Sequence, residues 1–153
     1  MKRLAACFML GVLSTSSLAI AQEKKIKRAQ LPPDVEETVA TLAKTATIRG
    51  FSQKIEHGAT YYEVELMVAN HRKGCLMDAE GNVVEVEEEV ALASLPPSVQ
   101  DGMEAMARHG KVQGVESITK QGKLVAYEAD VVKDGKHWEV QVGPEGNPLK
   151  HEE

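Results

Sequence analysis

Two stretches of this 153-residue chain decide its fold, because one repeats the other. They read LPPDVEETVATLAKTATIRGF at residues 31–51 and LPPSVQDGMEAMARHGKVQGV at residues 95–115. Leucine, both prolines, a valine and the last glycine occupy identical places at an offset of 64 residues. Further along, one extra residue shifts the match to an offset of 65, where Tyr62-Glu63 aligns with Tyr127-Glu128. A duplication of this kind predicts two copies of one small module.

Each copy opens with the pattern of a helix. Apolar residues recur at i, i+4 and i+7 after each Leu-Pro-Pro, and a proline suits the first helical turn, where its missing N–H costs nothing. We therefore predict one helix at the start of each copy. Its apolar stripe consists of Val35, Val39 and Leu42 in the first copy and of Val99, Met103 and Met106 in the second.

After each helix the hydrophobic period changes to two, which is typical of half-buried strands. Glycines and an Asp-Gly pair between these runs indicate hairpin turns. A fourth strand follows Gly81-Asn82 in the first copy, and a shorter one is expected around Leu149 in the second. The predicted fold is α+β, with two tandem repeats, each an N-terminal helix packed on one face of a four-stranded antiparallel sheet. The predicted inward residues are Tyr62, Val64, Leu66, Val68, Cys75, Met77, Val84 and Val86, then Tyr127, Ala129, Val131, Trp138, Val140 and Val142.

The first residues of the chain predict export. Residues 1–21 combine a basic start, an apolar stretch and a small-x-small site, which is the pattern of a secretory signal peptide. A membrane anchor is the alternative, but Ser14 to Ser17 interrupts the apolar run that it would need. Cys7 would leave with the signal. The predicted divisions are a signal peptide at 1–21, a disordered basic lead at 22–30, repeat 1 at 31–90, a linker at 91–94 and repeat 2 at 95–153.

The charge of the chain limits its partners. From residue 31 onward there are 22 acidic and 12 basic residues, a net charge of −10. Such a body repels nucleic acid and anionic lipid, so we expect no nucleic acid and no membrane insertion after signal cleavage. A basic protein partner is favoured, although acidity also serves solubility. Cys75 is the single cysteine after residue 21, and its inward position predicts a buried thiol and a monomer.

Several short motifs carry a resemblance to a known family. They are a helix starting at Leu-Pro, a glycine turn, Tyr127-Glu128-Ala129 in a central strand, the hairpin Asp134-Gly135-Lys136 and a Glu-Gly-Asn turn. With them the chain resembles the PepSY-like domains, in the branch compared with beta-lactamase inhibitory protein, over residues 31–153. The first copy departs at residues 70–73, which read Asn-His-Arg-Lys where Asp-Gly-Lys is expected. The resemblance implies a secreted or periplasmic, non-catalytic domain that binds or inhibits proteins.

The sequence offers little support for catalysis or for a resident metal. The histidines at 57, 71, 109, 137 and 151 do not fall at spacings that let two rings share a metal. Asp78, Glu80, Asn82 and Glu89 imitate a calcium loop, but Val83 stands where such a loop needs glycine. No serine lies in a strand-to-helix elbow of the nucleophile type. We predict no enzyme, no metal site and no cofactor.

Binding is the favoured function, and the sheet face away from the helices is the candidate site. The leading hypothesis is an exported protein-binding module, of the kind that inhibits or regulates a protein or a peptidase. A periplasmic sensor of a small ligand or a divalent cation is the alternative. The predicted partner-binding residues are Tyr61, Glu63, Glu65, Met67, Leu76, Glu128, Asp130, Val132, His137, Glu139 and Gln141.

Overall fold

A computed structural model describes residues 22–151 and 153. The predicted signal peptide and Cys7 lie outside the described residues. The chain forms one eight-stranded antiparallel sheet whose strands follow one another in chain order. Two ten-residue helices, α1 (Pro33–Leu42) and α2 (Pro97–Met106), precede β2 and β6. The strands are β1 (Gln22–Lys25), β2 (Thr47–Glu56), β3 (Ala59–Val68), β4 (His71–Met77), β5 (Val83–Glu89), β6 (Lys111–Lys120), β7 (Lys123–Lys133) and β8 (Lys136–Val142).

Both predicted helices are confirmed, and each begins at the second proline of its Leu-Pro-Pro. No helix of the described residues is long and apolar enough to cross a membrane. The helices lie on the same face of the sheet, where each covers its own apolar core. Neither helix of the described residues lies on the other face, which we call the open face. The buried core residues are Val35, Val39, Val64, Leu66, Cys75 and Met77 under α1, and Leu95, Val99, Met103, Ala107, Val115, Ala129, Val131, Val140 and Val142 under α2.

The prediction of two repeats, each with its own four-stranded sheet, was wrong. β5 and β6 pair directly, from Glu85 opposite Lys120 to Glu89 opposite Glu116, so the two halves share one sheet. The second half contributes three strands, and the fourth strand expected near Leu149 is reduced to a single bridge between Val142 and Pro148. A strand edge carries unpaired N–H and C=O groups, and joining β5 to β6 satisfies them in both halves at once. Proline has no N–H to continue a ladder, which limits the strand after β8.

The basic lead at residues 22–30 is ordered, contrary to the sequence prediction. β1 pairs with the C-terminal half of β2. The backbone N–H of Ile26 then donates to the carbonyl of Phe51 at 3.0 Å. Arg28 then contacts Glu36 on α1 at 2.6 Å. The edge of β2 offers hydrogen bonds that outweigh the low hydrophobicity of the lead. The predicted linker at 91–94 forms a 3₁₀ turn at Leu92–Ser94.

Four hairpins of the described residues have two-residue turns, which help to fix the register of the sheet. Each turn has two residues with positive φ, the backbone of the two-residue turn that matches the twist of the flanking strands. The sequence predicted turns at all four places from glycine, asparagine and Asp-Gly, and these are confirmed. The turn residues are His57-Gly58, Ala69-Asn70, Gln121-Gly122 and Asp134-Gly135.

Two further glycines hold the helices against the sheet. Gly81, with φ +79°, lies so close to α1 that a Cβ there would be 2.5 Å from the carbonyl oxygen of Asp34. Gly146, with φ +85°, makes the equivalent approach to the carbonyl of Ser98 on α2. Thr38 also donates a hydrogen bond to the carbonyl of Gly81 at 2.8 Å. Only glycine combines this backbone with this proximity, so both helices are fixed through it.

Candidate functional site

The structure places the eleven predicted site residues on the open face. They alternate along β3, β4, β7 and β8 with residues of the two cores, as the period of two predicted. They form two groups, because β5 and β6 lie between β4 and β7. One group is Tyr61, Glu63, Glu65, Met67 and Leu76, and the other is Glu128, Asp130, Val132, His137, Glu139 and Gln141.

Two of the eleven residues are poorly accessible. Leu76 is 7% exposed, although it faces away from the helices. Gln141 is 9% exposed and donates to Glu128 at 2.6 Å, while its own side-chain oxygen accepts from the backbone N–H of Glu153 at 2.8 Å. Gln141 is therefore already hydrogen-bonded within the chain. Leu76 exposes only a small apolar surface between its neighbours on the open face.

Sequence reasoning missed the centre of the open face, which β5 and β6 supply. The alternation of valine and glutamate in β5 was visible, but the pairing of β5 with β6 was not expected. That pairing puts Glu87 opposite Ile118, and Ile118 is 2% exposed. The open-face residues that are absent from the predicted partner-binding set are Glu85, Glu87, Glu89, Glu116, Ile118 and Lys120.

A trough runs along β4 on the open face. Its floor is Gly74, which has no side chain, and the buried Leu76. Its walls are carboxylates from the two neighbouring strands, because Glu65 and Glu87 flank Gly74 while Glu63 and Glu85 flank Leu76. A cavity of about 390 Å³ opens over the Gly74 end, and Arg49, Met67 and Arg72 are among its lining residues.

Basic side chains neutralise part of this acidic face. Lys54 on β2 reaches Glu63 at 3.0 Å, and the hydroxyl of Ser52 donates to the same carboxylate at 3.2 Å. Arg72 lies 3.3 Å from Glu116, and it also lies 3.7 Å from the carboxylate of Glu89.

Lys120 lies 3.5 Å from Glu85 at the far end of the trough. Glu65 and Glu87 have no cation within 4.0 Å among the described residues. Glu65 and Glu87 therefore form no close ion pair, although Arg49 and Arg72 line the cavity beside them and Lys54 acts on Glu87 from beyond that distance.

The electrostatics of the open face reflect this excess of acid. Burial, and then the charge of Glu85, raise the pKa of Glu87 to about 7, and Lys54 offsets this only in part. Burial is also the main cause that raises the pKa values of Glu116 and Glu128. Partial burial disfavours the ionised form of a carboxylate, and the neighbouring cations and hydrogen bonds offset this only in part.

The other candidate groups have structural roles. Cys75 is 1% exposed, which confirms its predicted inward position, and burial raises the pKa of its thiol. The carboxylate of Asp78 accepts from the backbone N–H of Glu80 at 3.1 Å and of Asn82 at 2.8 Å, so it stabilises the turn before β5. Over the described part of the chain, no three histidine, cysteine or acidic side chains converge as they would around a metal ion.

Several solved structures from Bacteroides species are similar to this fold. A protein from Bacteroides eggerthii described as periplasmic has a TM-score of 0.64 and 18% identity, covering 78% of this chain and 86% of its own. A DUF2874 family protein from Bacteroides ovatus has a TM-score of 0.62 and 18% identity, with coverages of 78% and 85%.

A BLIP-like protein from Bacteroides fragilis gives a TM-score of 0.56 and 21% identity, with coverages of 78% and 83%. No family profile and no curated protein matches the chain. At these identities the likeness establishes the fold alone. It agrees with the BLIP-like side of the resemblance seen in the sequence, whereas these structures are not described as PepSY proteins.

Proposed function

We propose that this chain is an exported, non-catalytic module that binds a basic protein through its open face, and that this binding inhibits or regulates the partner. One observation carries the proposal: half-buried carboxylates from adjacent strands cluster on a sheet face that neither helix covers. Glu87, Glu116 and Glu128 all have raised pKa values there. Complementary charge steers association and fixes the orientation of a partner on such a face.

The proposed location is the periplasm or the exterior of the cell. The secretory pattern of residues 1–21 supports it. The Bacteroides eggerthii structure with the same fold is described as periplasmic, which agrees with export. The BLIP-like structure supports a binding role in the same way, since its fold is the one adopted here.

The test is capture of a partner by the mature protein from periplasmic extract, with identification by mass spectrometry. The open-face variant replaces Glu63, Glu65, Glu128 and Asp130 by lysine. A matched control reverses four exposed acids of the helix side, Glu37, Glu80, Asp101 and Glu104. Both variants change the net charge equally, so a difference between them reports the location of binding. Circular dichroism melts establish that each variant is folded.

A basic protein retained by the wild type and by the control, but lost by the open-face variant, is the expected result. Equal loss from both variants would show that net charge alone is responsible. A partner that disappears on addition of EDTA would contradict this proposal and support the cation-sensing alternative. In that case millimolar calcium should raise the melting temperature, because a ligand that binds the native state stabilises it.

A further inference from the structure

The first strand of the sheet belongs to the duplication. β1, residues 22–25, falls 64 positions before residues 86–89 of β5, and its register on β2 is that of β5 on β6 with the same shift. The hydrogen bond after each strand also recurs. The N–H of Ile26 donates to Phe51 at 3.0 Å, and the equivalent N–H of Val90 donates to the counterpart of Phe51 at 2.9 Å. Each half is therefore a leading strand, a helix and three further strands.

The two leading strands differ in their neighbours. β5 pairs with β6 of its own half and with β4 of the preceding half. β1 pairs with β2, and no strand of the described residues pairs with its other side. At the opposite edge of the sheet β8 is the counterpart of β4, 65 residues later, and within residues 22–151 its one strand neighbour is β7. The counterparts of β5 and β4 thus form the two edges of the sheet.

The chain that follows β8 leaves most of this edge uncovered. Val142 forms a single bridge with Pro148. Beyond it the chain turns to the open face, where the N–H of Glu153 donates to the side-chain oxygen of Gln141 at 2.8 Å. Among the described residues no pairing continues from that bridge along residues 137–140. In the first half, β5 occupies the equivalent place beside β4.

The backbone groups on the two edges match. The two-residue turn before β8 begins that strand with a hydrogen-bonded pair, so the N–H and C=O groups of His137 and Glu139 point away from β7. The bond from Ile26 to β2 likewise directs those of Glu23 and Lys25 away from β2. The register of β4 with β5 would put Glu23 of a second copy opposite Glu139. The same register brings Lys25 to His137, so the outward groups of both strands meet.

The charges of the two edges are complementary as a whole. Residues 22–30 carry four basic residues and one acid, whereas the chain from residue 31 onward has a net charge of −10. On the helix side the register puts Lys24 against the ring of Trp138, a contact in which an aromatic face attracts a cation. On the open face Glu23 and Glu139 are a like-charge pair, which weakens the contact.

We propose that mature copies of this protein, with residues 1–21 removed, associate head to tail by adding β1 of one copy to β8 of the next in the register of β4 with β5. The contact joins two different surfaces, so it gives chains or rings. A four-residue strand buries little area, and we expect a dissociation constant of about 0.1–1 mM. The predicted monomer then applies at concentrations well below this value. The open face stays uncovered, so this inference is separate from the proposed function.

Sedimentation velocity on the mature protein tests the association, from about 10 μM to about 2 mM. The mean mass should rise with concentration over this range. Trp138, the single tryptophan of the chain, lies in the proposed contact, and its fluorescence should change over the same range. A protein that remains monomeric at about 2 mM overturns the proposal.

Two substitutions of Lys25 separate strand pairing from charge. Lys25→Ala and Lys25→Pro remove the same charge, but only proline removes the outward N–H, and an edge strand tolerates proline at such a position. Lys25→Pro should abolish association, and Lys25→Ala should keep the dissociation constant within about threefold. Slow hydrogen exchange of the Ile26 N–H checks that β1 stays on β2 in both variants. Equal losses would show that charge alone is responsible and would overturn the strand pairing.

Crosslinking tests the register. A Glu23→Cys protein is mixed with a Glu139→Cys protein and treated with a bifunctional thiol reagent of about 5 Å span, because hydrogen-bonded antiparallel pairs have Cα atoms about 5.5 Å apart. Cys75 is 1% exposed and should not react in the native protein. A crosslinked dimer is expected in the mixture alone. Crosslinking of either protein by itself would show that an edge pairs with its own copy, and a mixture without crosslinks would refute the register.

Discussion

The two halves of the sheet are alike on the helix side and different on the open side. In each half a helix starting at Leu-Pro-Pro lies over the strands that follow it, and a glycine with positive φ holds it there, Gly81 in the first half and Gly146 in the second. Each half also has a bulge at the same place in its first long strand, before Gly50 and before Gly114. The two copies therefore share the residues at which the helices pack on the sheet.

The open faces of the two halves differ. Gly74 and Leu76 form the floor of the trough in the first half, opposite Glu65 and Glu63. The equivalent residues of the second half, 65 positions later, are Glu139 and Gln141, opposite Asp130 and Glu128. Side chains therefore occupy the positions in the second half that correspond to the floor of the trough, and among the described residues no strand pairs with β8 as β5 pairs with β4.

The largest expected effect comes from replacing the glycine that lies against each helix, which tests whether the two halves are held together in the same way. Gly146→Ala should lower the free energy of unfolding by about 3 kcal/mol, because the left-handed backbone disfavours alanine and its Cβ would overlap the carbonyl of Ser98. Gly81→Ala should cost a similar amount in the first half, where the close carbonyl is that of Asp34. Urea unfolding of each variant measures both values.

Gly58→Ala is the control, since Gly58 has φ +82° with no atom within 4 Å of the added Cβ. It should cost only the backbone term, about 1 kcal/mol. Equal losses from Gly58→Ala and Gly146→Ala would show that the close approach to the helix contributes nothing, and the likeness of the two halves would then be one of sequence alone.

The substitution Glu87→Gln tests how the open face of the first half differs electrostatically from that of the second. The pKa of Glu87 is raised to about 7 by burial and by Glu85, with Glu63 and Glu116 adding to it and Lys54 opposing it. A raised pKa means that the folded state holds the proton more tightly, so stability is lost as pH rises from about 4.5 to about 7.

Glutamine avoids this loss, and we expect the variant to be more stable than the wild type by about 1–2 kcal/mol near pH 8, a value reduced for partial exposure to solvent. The two proteins should have nearly equal stability near pH 4.5. Denaturant unfolding at several pH values gives the difference curve. Glu139→Gln is the control from the second half, because Glu139 is exposed there. A gain that is the same at every pH would contradict the assignment of a raised pKa to Glu87.

The sequence predicted the local structure well and the assembly of the sheet badly. Helical stripes, turns and strand parity depend on neighbouring residues, and Val35, Cys75 and Gly122 all lie as expected. The single sheet depends on two edges meeting across the chain, from Glu85 to Lys120, and no local pattern records that. The same is true of β1, whose residues have no apolar period and are ordered by the edge of β2.

The same limit applies to the candidate site. Parity put Glu63 and Glu128 on the open face correctly, since the period of two decides which side a residue takes. The trough needs β4 to lie between two acidic strands, and the raised pKa of Glu87 needs β6 beside it as well. The burial of Glu87 and the charges around it come from strands distant in sequence, so the residues that distinguish the two halves were recognisable only in the folded sheet.

The smallest expected effect concerns the turns after β3 and β7. The first half places Ala69-Asn70 in left-handed backbone, φ 46° and 71°, where the second half has Asp134-Gly135. Replacing Ala69-Asn70 by Asp-Gly should raise the free energy of unfolding by about 0.5–1 kcal/mol, because aspartate and glycine adopt positive φ at lower cost. Asp134→Ala should lower it by a similar amount. If the Asp-Gly replacement leaves urea unfolding unchanged, the two turns tolerate either pair, and the departure of the first half at residues 70–73 has no cost in stability.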